Sequence, residues 1–208
     1  MARTIPDDHH ERRKAIMDRA AEVIAAHGYD RASMAMIAKA SGVSKALFYH
    51  YWADKADLLF DVLAHHLDHL VGLSRFVATL SRTPRERLET LAAALLDAYR
   101  SADAVHNVQL NCMKLLPPER QAALRSMERQ LVEEAAAMVA ELNPRAAADR
   151  RVLIPLTMSF FAMLNWHHLW HREGRGLTRQ DYARMVAALM AEGVEGAVDA
   201  VELVPREA

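Results

Sequence analysis

The chain has 208 residues, 52% of them apolar, with 26 basic and 27 acidic side chains and a net charge of −1. That length supports one or two domains with a real core, and charged residues at 25% exclude a wholly disordered chain. A near-neutral total excludes a basic surface throughout, so a polyanionic partner has to be met by a local patch.

Residues 10–27 read as an amphipathic helix, with Ile16, Ala20, Val23 and Ile24 at helical spacing and Gly28 as the stop. Ser33 caps a short helix, MAMIAKA, which Gly42 ends; Ser44 caps another, KALFYHYW. Short helices bury little alone, so Ile16, Ala20, Ile24, Ile37, Ala38, Val43, Phe48 and Trp52 are expected to form one small core. Asp54 is the expected cap of a long helix over 55–80, the link from this unit to the rest of the chain. Further helices are punctuated at Pro84, at 101–103, at Pro117-Pro118 and at Asn143-Pro144. Pro155 predicts a kink or a late helix start, and a turn at 173–176 separates two final helices, about 156–172 and 178–200. The expected fold class is all-α.

The lone cysteine, Cys112, cannot close an internal disulfide, and no apolar run approaches the roughly 18 residues of a membrane span. The N-terminal run MARTIPDDHHERRK has no apolar segment of the signal-peptide kind. A cytoplasmic protein with no membrane partner is expected. Four of the five lysines (Lys14, Lys39, Lys45, Lys55) fall in the first 55 residues, which carry +2 against −3 for the remainder.

The stretch SMAMIAKASGVSKALFYHYWADK, residues 33–55, has the two short helices and turn glycine of a helix-turn-helix. It resembles the TetR-type one-component transcriptional regulators, whose N-terminal pattern is approximately T-x-x-x-I-A-x-x-A-G-V-S-x-G-x-L-Y-x-H-F-x-x-K-x-x-L. Ser33, Ile37, Ala38, Ser41, Gly42, Val43, Ser44, Ala46, Phe48, Tyr49, Tyr51, Trp52, Lys55 and Leu58 stand at the matching places. Ser41, Ala46 and Trp52 replace a common alanine, glycine and phenylalanine, and Trp52 reads as a core exchange. The resemblance implies that the second short helix enters the major groove of double-stranded DNA. Lys45, Ala46, Tyr49 and His50 are the candidates for base or groove contact, and Ser33, Ser44, Tyr51 and Lys55 for holding the backbone and setting register. Arg3 is a candidate for a minor groove.

The resemblance further implies a DNA-binding domain at 1–54 and a helical effector-binding and dimerisation domain at 55–208. LIPLTMSFFAMLNWHHLW is apolar around most of its circumference, and Tyr182, Met185, Val186, Leu189 and Met190 recur at helical spacing. Pairing these helices with a second copy gives a four-helix homodimer interface; an intramolecular core is the alternative. A symmetric dimer implies a palindromic operator, with recognition helices roughly 34–36 Å apart.

A small-molecule effector is expected among Asn107, Asn111, Met113, Leu116, Met127, Phe160, Met163, Asn165, Trp166 and Trp170. The run N-W-H-H-L-W-H-R-E-G-R-G, from Asn165, is similar to the N-W-x-x-x-W-Y-R-P-x-G pattern of a TetR subgroup that responds to acyl-CoA thioesters, with His171 for Tyr and Glu173 for Pro. That similarity implies Arg172 and Arg175 as partners of CoA phosphates, against the alternative that they neutralise a helix C-terminus. His65/His69 and His167/His171 have i,i+4 spacing, with His66 beside the first pair, which keeps a metal-responsive sensor, or a helical sensor that does not bind DNA, open as the alternative function. No metal, cofactor or catalytic residue is assigned: the chain lacks G-x-S-x-G, a P-loop, H-E-x-x-H and a dinucleotide glycine fingerprint.

Overall fold

Eleven named α-helices and one 3-10 turn make up the computed structural model, which describes residues 6–101, 103–142, 144–172 and 174–202; no strand is found among them. The helices are α1 (Pro6–His27), α2 (Met34–Ala40), α3 (Lys45–Tyr51), α4 (Lys55–Ala78), α5 (Pro84–Ser101), α6 (Asp103–Cys112), α7 (Pro118–Ala140), α8 (Pro144–Ala148), α9 (Arg150–Asn165), α10 (His167–Trp170) and α11 (Arg179–Glu202). The 3-10 turn, Met113–Leu115, follows α6. Arg3, Asn143 and Glu173 lie outside the described residues.

Packing divides the chain into two units that cut across its order. One holds residues 1–68 and 102–127, the other 69–101 and 128–208; of the three boundaries, two fall inside continuous helices, α4 and α7, and the third between α5 and α6. The expected functional division at 54/55 is drawn on different grounds from these packing units.

In the first unit the expected core forms. Ile16, Ala20, Ile24, Ile37, Ala38, Phe48 and Trp52 are all buried and Val43 is half-buried against them. Leu58, Leu59, Val62, Leu63 and Leu67 of α4 join it, as do Val105, Val108 and Cys112 of α6 and Leu124 of α7. Local signals set the helix ends. Ser33 and Ser44 accept the backbone N–H of Met36 and Leu47, at 3.2 and 3.1 Å, and Asp54 accepts that of Asp57 at 2.7 Å. Gly42 takes a left-handed φ of +66° in the turn between α2 and α3, a conformation that costs a residue with a Cβ about 1–2 kcal/mol.

The second unit packs α5, α8, α9 and α11 around Leu88, Leu91, Leu95, Phe160, Leu164, Val186 and their neighbours. Thr83 and Glu86 form a reciprocal cap for α5, which holds the Glu86 carboxyl below its usual range, chiefly through the backbone bond to Thr83. Two expectations for its last helices are corrected. Asp149 caps α9 through the Arg151 N–H, so the helix starts ahead of the proline, which overturns the late start; Pro155 lies inside it, exposed, and its missing N–H leaves the Arg151 carbonyl without its i+4 donor. The helix expected over 156–172 ends instead at Asn165; Trp166 interrupts it, α10 runs only to Trp170, and His171 is extended. An apolar run carries no periodic mark of such a break.

Candidate nucleic-acid interface and effector region

The helix-turn-helix sorts its side chains by face. Phe48 and Trp52, four apart, go into the core, while Lys45, Ala46, Tyr49 and His50 are exposed. Tyr49 is 53% exposed; Tyr51 is half-buried, with its ring 5.2 Å from that of Trp52 and 4.9 Å from that of His9. Ser33 and Ser44 are exposed, and each uses its oxygen as an acceptor in capping, leaving a hydroxyl proton to donate to a phosphate.

Lys55 is engaged inside the unit. Its Nζ donates to the Tyr29 carbonyl at 2.6 Å, reaches the Asp30 carbonyl at 3.4 Å, and sits 4.2 Å from the Tyr29 ring centroid. A half-buried ammonium in that position is a strut for the loop leading into Ser33. Burial pushes the Tyr29 phenol up, with Asp54 adding to the shift. An open cleft of about 540 Å³, lined among others by Arg12, Arg19, Ser41 and Ser44, lies beside the start of α3. Sequence reading passed over these two arginines, although their spacing of seven puts them on one face of α1.

The effector candidates fall into two groups, one in each unit. Asn107, Asn111 and Met113 belong to the first. Both asparagines are exposed, and the Asn111 amide donates to the Asn107 backbone and side-chain oxygens, each at 2.8 Å. In the second, Phe160 is buried and Met163 half-buried, while Trp166 and Trp170 are 63% and 55% exposed. Arg172 and Arg175 are exposed and joined by a backbone bridge.

An aromatic cluster connects α10 to α11. The His167 ring lies 4.9 Å from Trp170, 4.7 Å from Tyr182 and 4.3 Å from His171, nearly parallel to the last. The Tyr182 hydroxyl donates to the Met163 carbonyl at 2.9 Å. His167 Nε2 is buried without a hydrogen-bond partner, and burial, reinforced by His171, Arg179 and His168, lowers the imidazole to about 4. Stacked faces do not aim ring nitrogens at a shared ion, and His65 and His69 are exposed on α4. Among the described residues no group of three or more His, Cys, Asp or Glu is gathered for a metal, and no helix is long and apolar enough to cross a membrane.

The second unit leaves several large apolar side chains uncovered: Met158 and Trp166 from α9 and its end, Leu169 of α10, and Met185 and Leu189 of α11.

Comparison with known proteins identifies both halves. Residues 16–62 match the model for bacterial regulatory proteins of the tetR family, and residues 81–194 match the tetracyclin repressor-like C-terminal domain. A TetR-family transcriptional regulator from Bordetella parapertussis superposes with a TM-score of 0.79 at 30% identity, over 93% of this chain and 98% of that one. AibR, solved in complex with isovaleryl coenzyme A and operator DNA, superposes with a TM-score of 0.72 at 23% identity, over 86% of this chain and 97% of that one. The HTH-type transcriptional activator FasR of Mycolicibacterium smegmatis is 36% identical over 87 residues, 42% of this chain and 40% of FasR. That match spans about two-fifths of the length of the curated relative.

Proposed function

The chain belongs to the TetR family of bacterial regulatory proteins, and from that premise we propose that it is a cytoplasmic, non-catalytic homodimer that represses transcription from a palindromic operator until a small effector releases it. The observation that carries the reading is the division of α3 into a buried face, Phe48, and an exposed one, Lys45, Ala46, Tyr49 and His50, with both flanking serines at their caps. A capped helix that presents small and hydrogen-bonding side chains to solvent is what a major groove accepts. DNA reading is assigned to 1–54, and effector binding and dimerisation to 55–208. The uncovered apolar side chains Trp166, Leu169 and Leu189 support a second copy as their partner, because a soluble monomer gains nothing from exposing them.

For the effector we infer an acyl-CoA thioester. The Asn165–Trp170 pattern supports it, as does the exposure of Arg172 and Arg175, whose guanidiniums suit phosphate. AibR, whose fold this chain shares, binds isovaleryl coenzyme A.

Two measurements test the reading. A mobility-shift titration on the DNA upstream of the protein's own gene is expected to show a discrete complex whose affinity falls with salt; equal affinity for every duplex tried would overturn it. Release of that complex, with a thermal shift of the free protein, is expected from acyl-CoA thioesters and not from free CoA or free acids. A response to free acids alone would overturn the thioester assignment.

A further inference from the structure

Trp52 stands where the family pattern has phenylalanine, and the structure gives that exchange a use beyond volume. Its ring is 1% exposed, 5.5 Å from Phe48, at the residue that ends α3 and whose N–H caps the Phe48 carbonyl. The indole Nε1–H donates to Asp61 Oδ2 on α4 at 2.6 Å, a bond that a phenyl ring has no proton to make. The same carboxylate oxygen is ion-paired with Arg13 of α1, whose guanidinium lies 5.9 Å from the centre of the Trp52 ring. One carboxylate on α4 thus fastens the end of α3 and the middle of α1.

Two further ties fix the same end of α4. Lys55 reaches the carbonyls of the α1–α2 loop, and Asp57 is ion-paired with Arg120 of α7. Lys55, Asp57 and Asp61 all lie within the first seven residues of α4, and all their partners are in the first unit. Of the three ties, the one at Asp61 acts on the recognition helix itself.

We propose that Trp52 and Asp61 are positioning residues for DNA reading: the indole–carboxylate bond fixes the angle at which α3 leaves α4, and with it the placement of Tyr49 and His50 in the groove. This rests on the DNA-binding reading above. Leu58 and Phe48 already hold the two helices together by burial, but apolar contact tolerates sliding. A short hydrogen bond to a charged acceptor fixes a direction, and its partly buried setting makes it stronger than a water-exposed one.

The experiment uses the full chain and a duplex selected from a random-sequence pool by the wild-type protein. Affinity is measured at a temperature where circular dichroism shows every variant fully folded, so that a loss of stability alone leaves it unchanged. W52F keeps most of the ring volume and loses the donor; D61L keeps the tryptophan and loses the acceptor. Each is expected to bind roughly tenfold more weakly, and the double variant no more weakly than the weaker single. D61N, whose amide oxygen still accepts the indole proton, is expected to recover most of the affinity lost in D61L. Wild-type affinity in W52F, or additive losses in the double variant, would overturn the joint while leaving the DNA-binding reading intact. Failure of the wild-type chain to enrich any duplex overturns that reading, and the joint with it.

Discussion

The two units differ most in what they leave uncovered. The first buries Phe48 and Trp52 and exposes a tyrosine, a histidine, a lysine and two capping serines around α3, with Met36, Leu110 and Leu115 among its uncovered large aliphatic and thioether side chains. The second buries Phe160 and Phe161 yet leaves two tryptophans, two leucines and two methionines open along α9, α10 and α11. Polar groups that can each make a directed bond suit a partner read by hydrogen bonds, such as a base edge or a phosphate. Uncovered apolar side chains suit another protein surface, where area matters more than direction. The solvent-facing side chains distinguish the two units more than the cores do, since each core mixes aliphatic and aromatic side chains.

The sharpest way to break that contrast is to charge the uncovered apolar side chains. Met185→Arg with Leu189→Arg is expected to turn the proposed dimer into a monomer in sedimentation experiments and to weaken operator binding by about a hundredfold or more, because the two half-sites are no longer tethered. If the pair of changes leaves the mass at that of a dimer, these side chains are not the interface. On the other unit, Tyr49→Ala is expected to cost about 1–3 kcal/mol in operator affinity, with the oligomeric state unchanged. Ser44→Ala, which removes the α3 cap without touching its exposed face, is expected to lower unfolding stability by about 1 kcal/mol in denaturant titration.

The smallest expected effect belongs to His167. Its imidazole titrates at about 4 in the fold against about 6.5 in the unfolded chain, so folding favours the neutral ring. Its contribution is present in full above about pH 6.5 and is lost progressively as pH falls towards 4. Melting midpoints recorded across that window should fall more steeply for the wild type than for His167→Phe; parallel curves would remove His167 as the cause.

Much of this was legible where the signal is local. Ser33, Ser44 and Asp54 cap the helices their positions announce, and Gly42 makes the turn its lack of a Cβ permits. The end of α9 was not legible, because helix-compatible residues continue past the break and no glycine or proline marks Trp166. The bond from Lys55 to the Tyr29 carbonyl was not legible either, because the resemblance spoke only to a phosphate role and the carbonyl is 26 residues away. The bond from Trp52 to Asp61 was hidden for a related reason, that a tryptophan in a phenylalanine's place looks like a matter of size. The effector candidates, chosen by residue type, turned out to be divided between the units, and residue type alone carries no information about which helices become neighbours.

The first unit is assembled from two separated pieces of chain, and this constrains how it can come into being. Ile16 and Leu58 share their core with Val105, Val108 and Leu124, and α1 packs against α6. During synthesis the DNA-reading helices emerge long before the segment that completes their hydrophobic interior. For some sixty residues of elongation, a few seconds or more at ribosomal rates, they wait with one side open. A fragment cut at 54/55 would wait indefinitely, and is expected to be a poor stand-in for the headpiece it appears to contain.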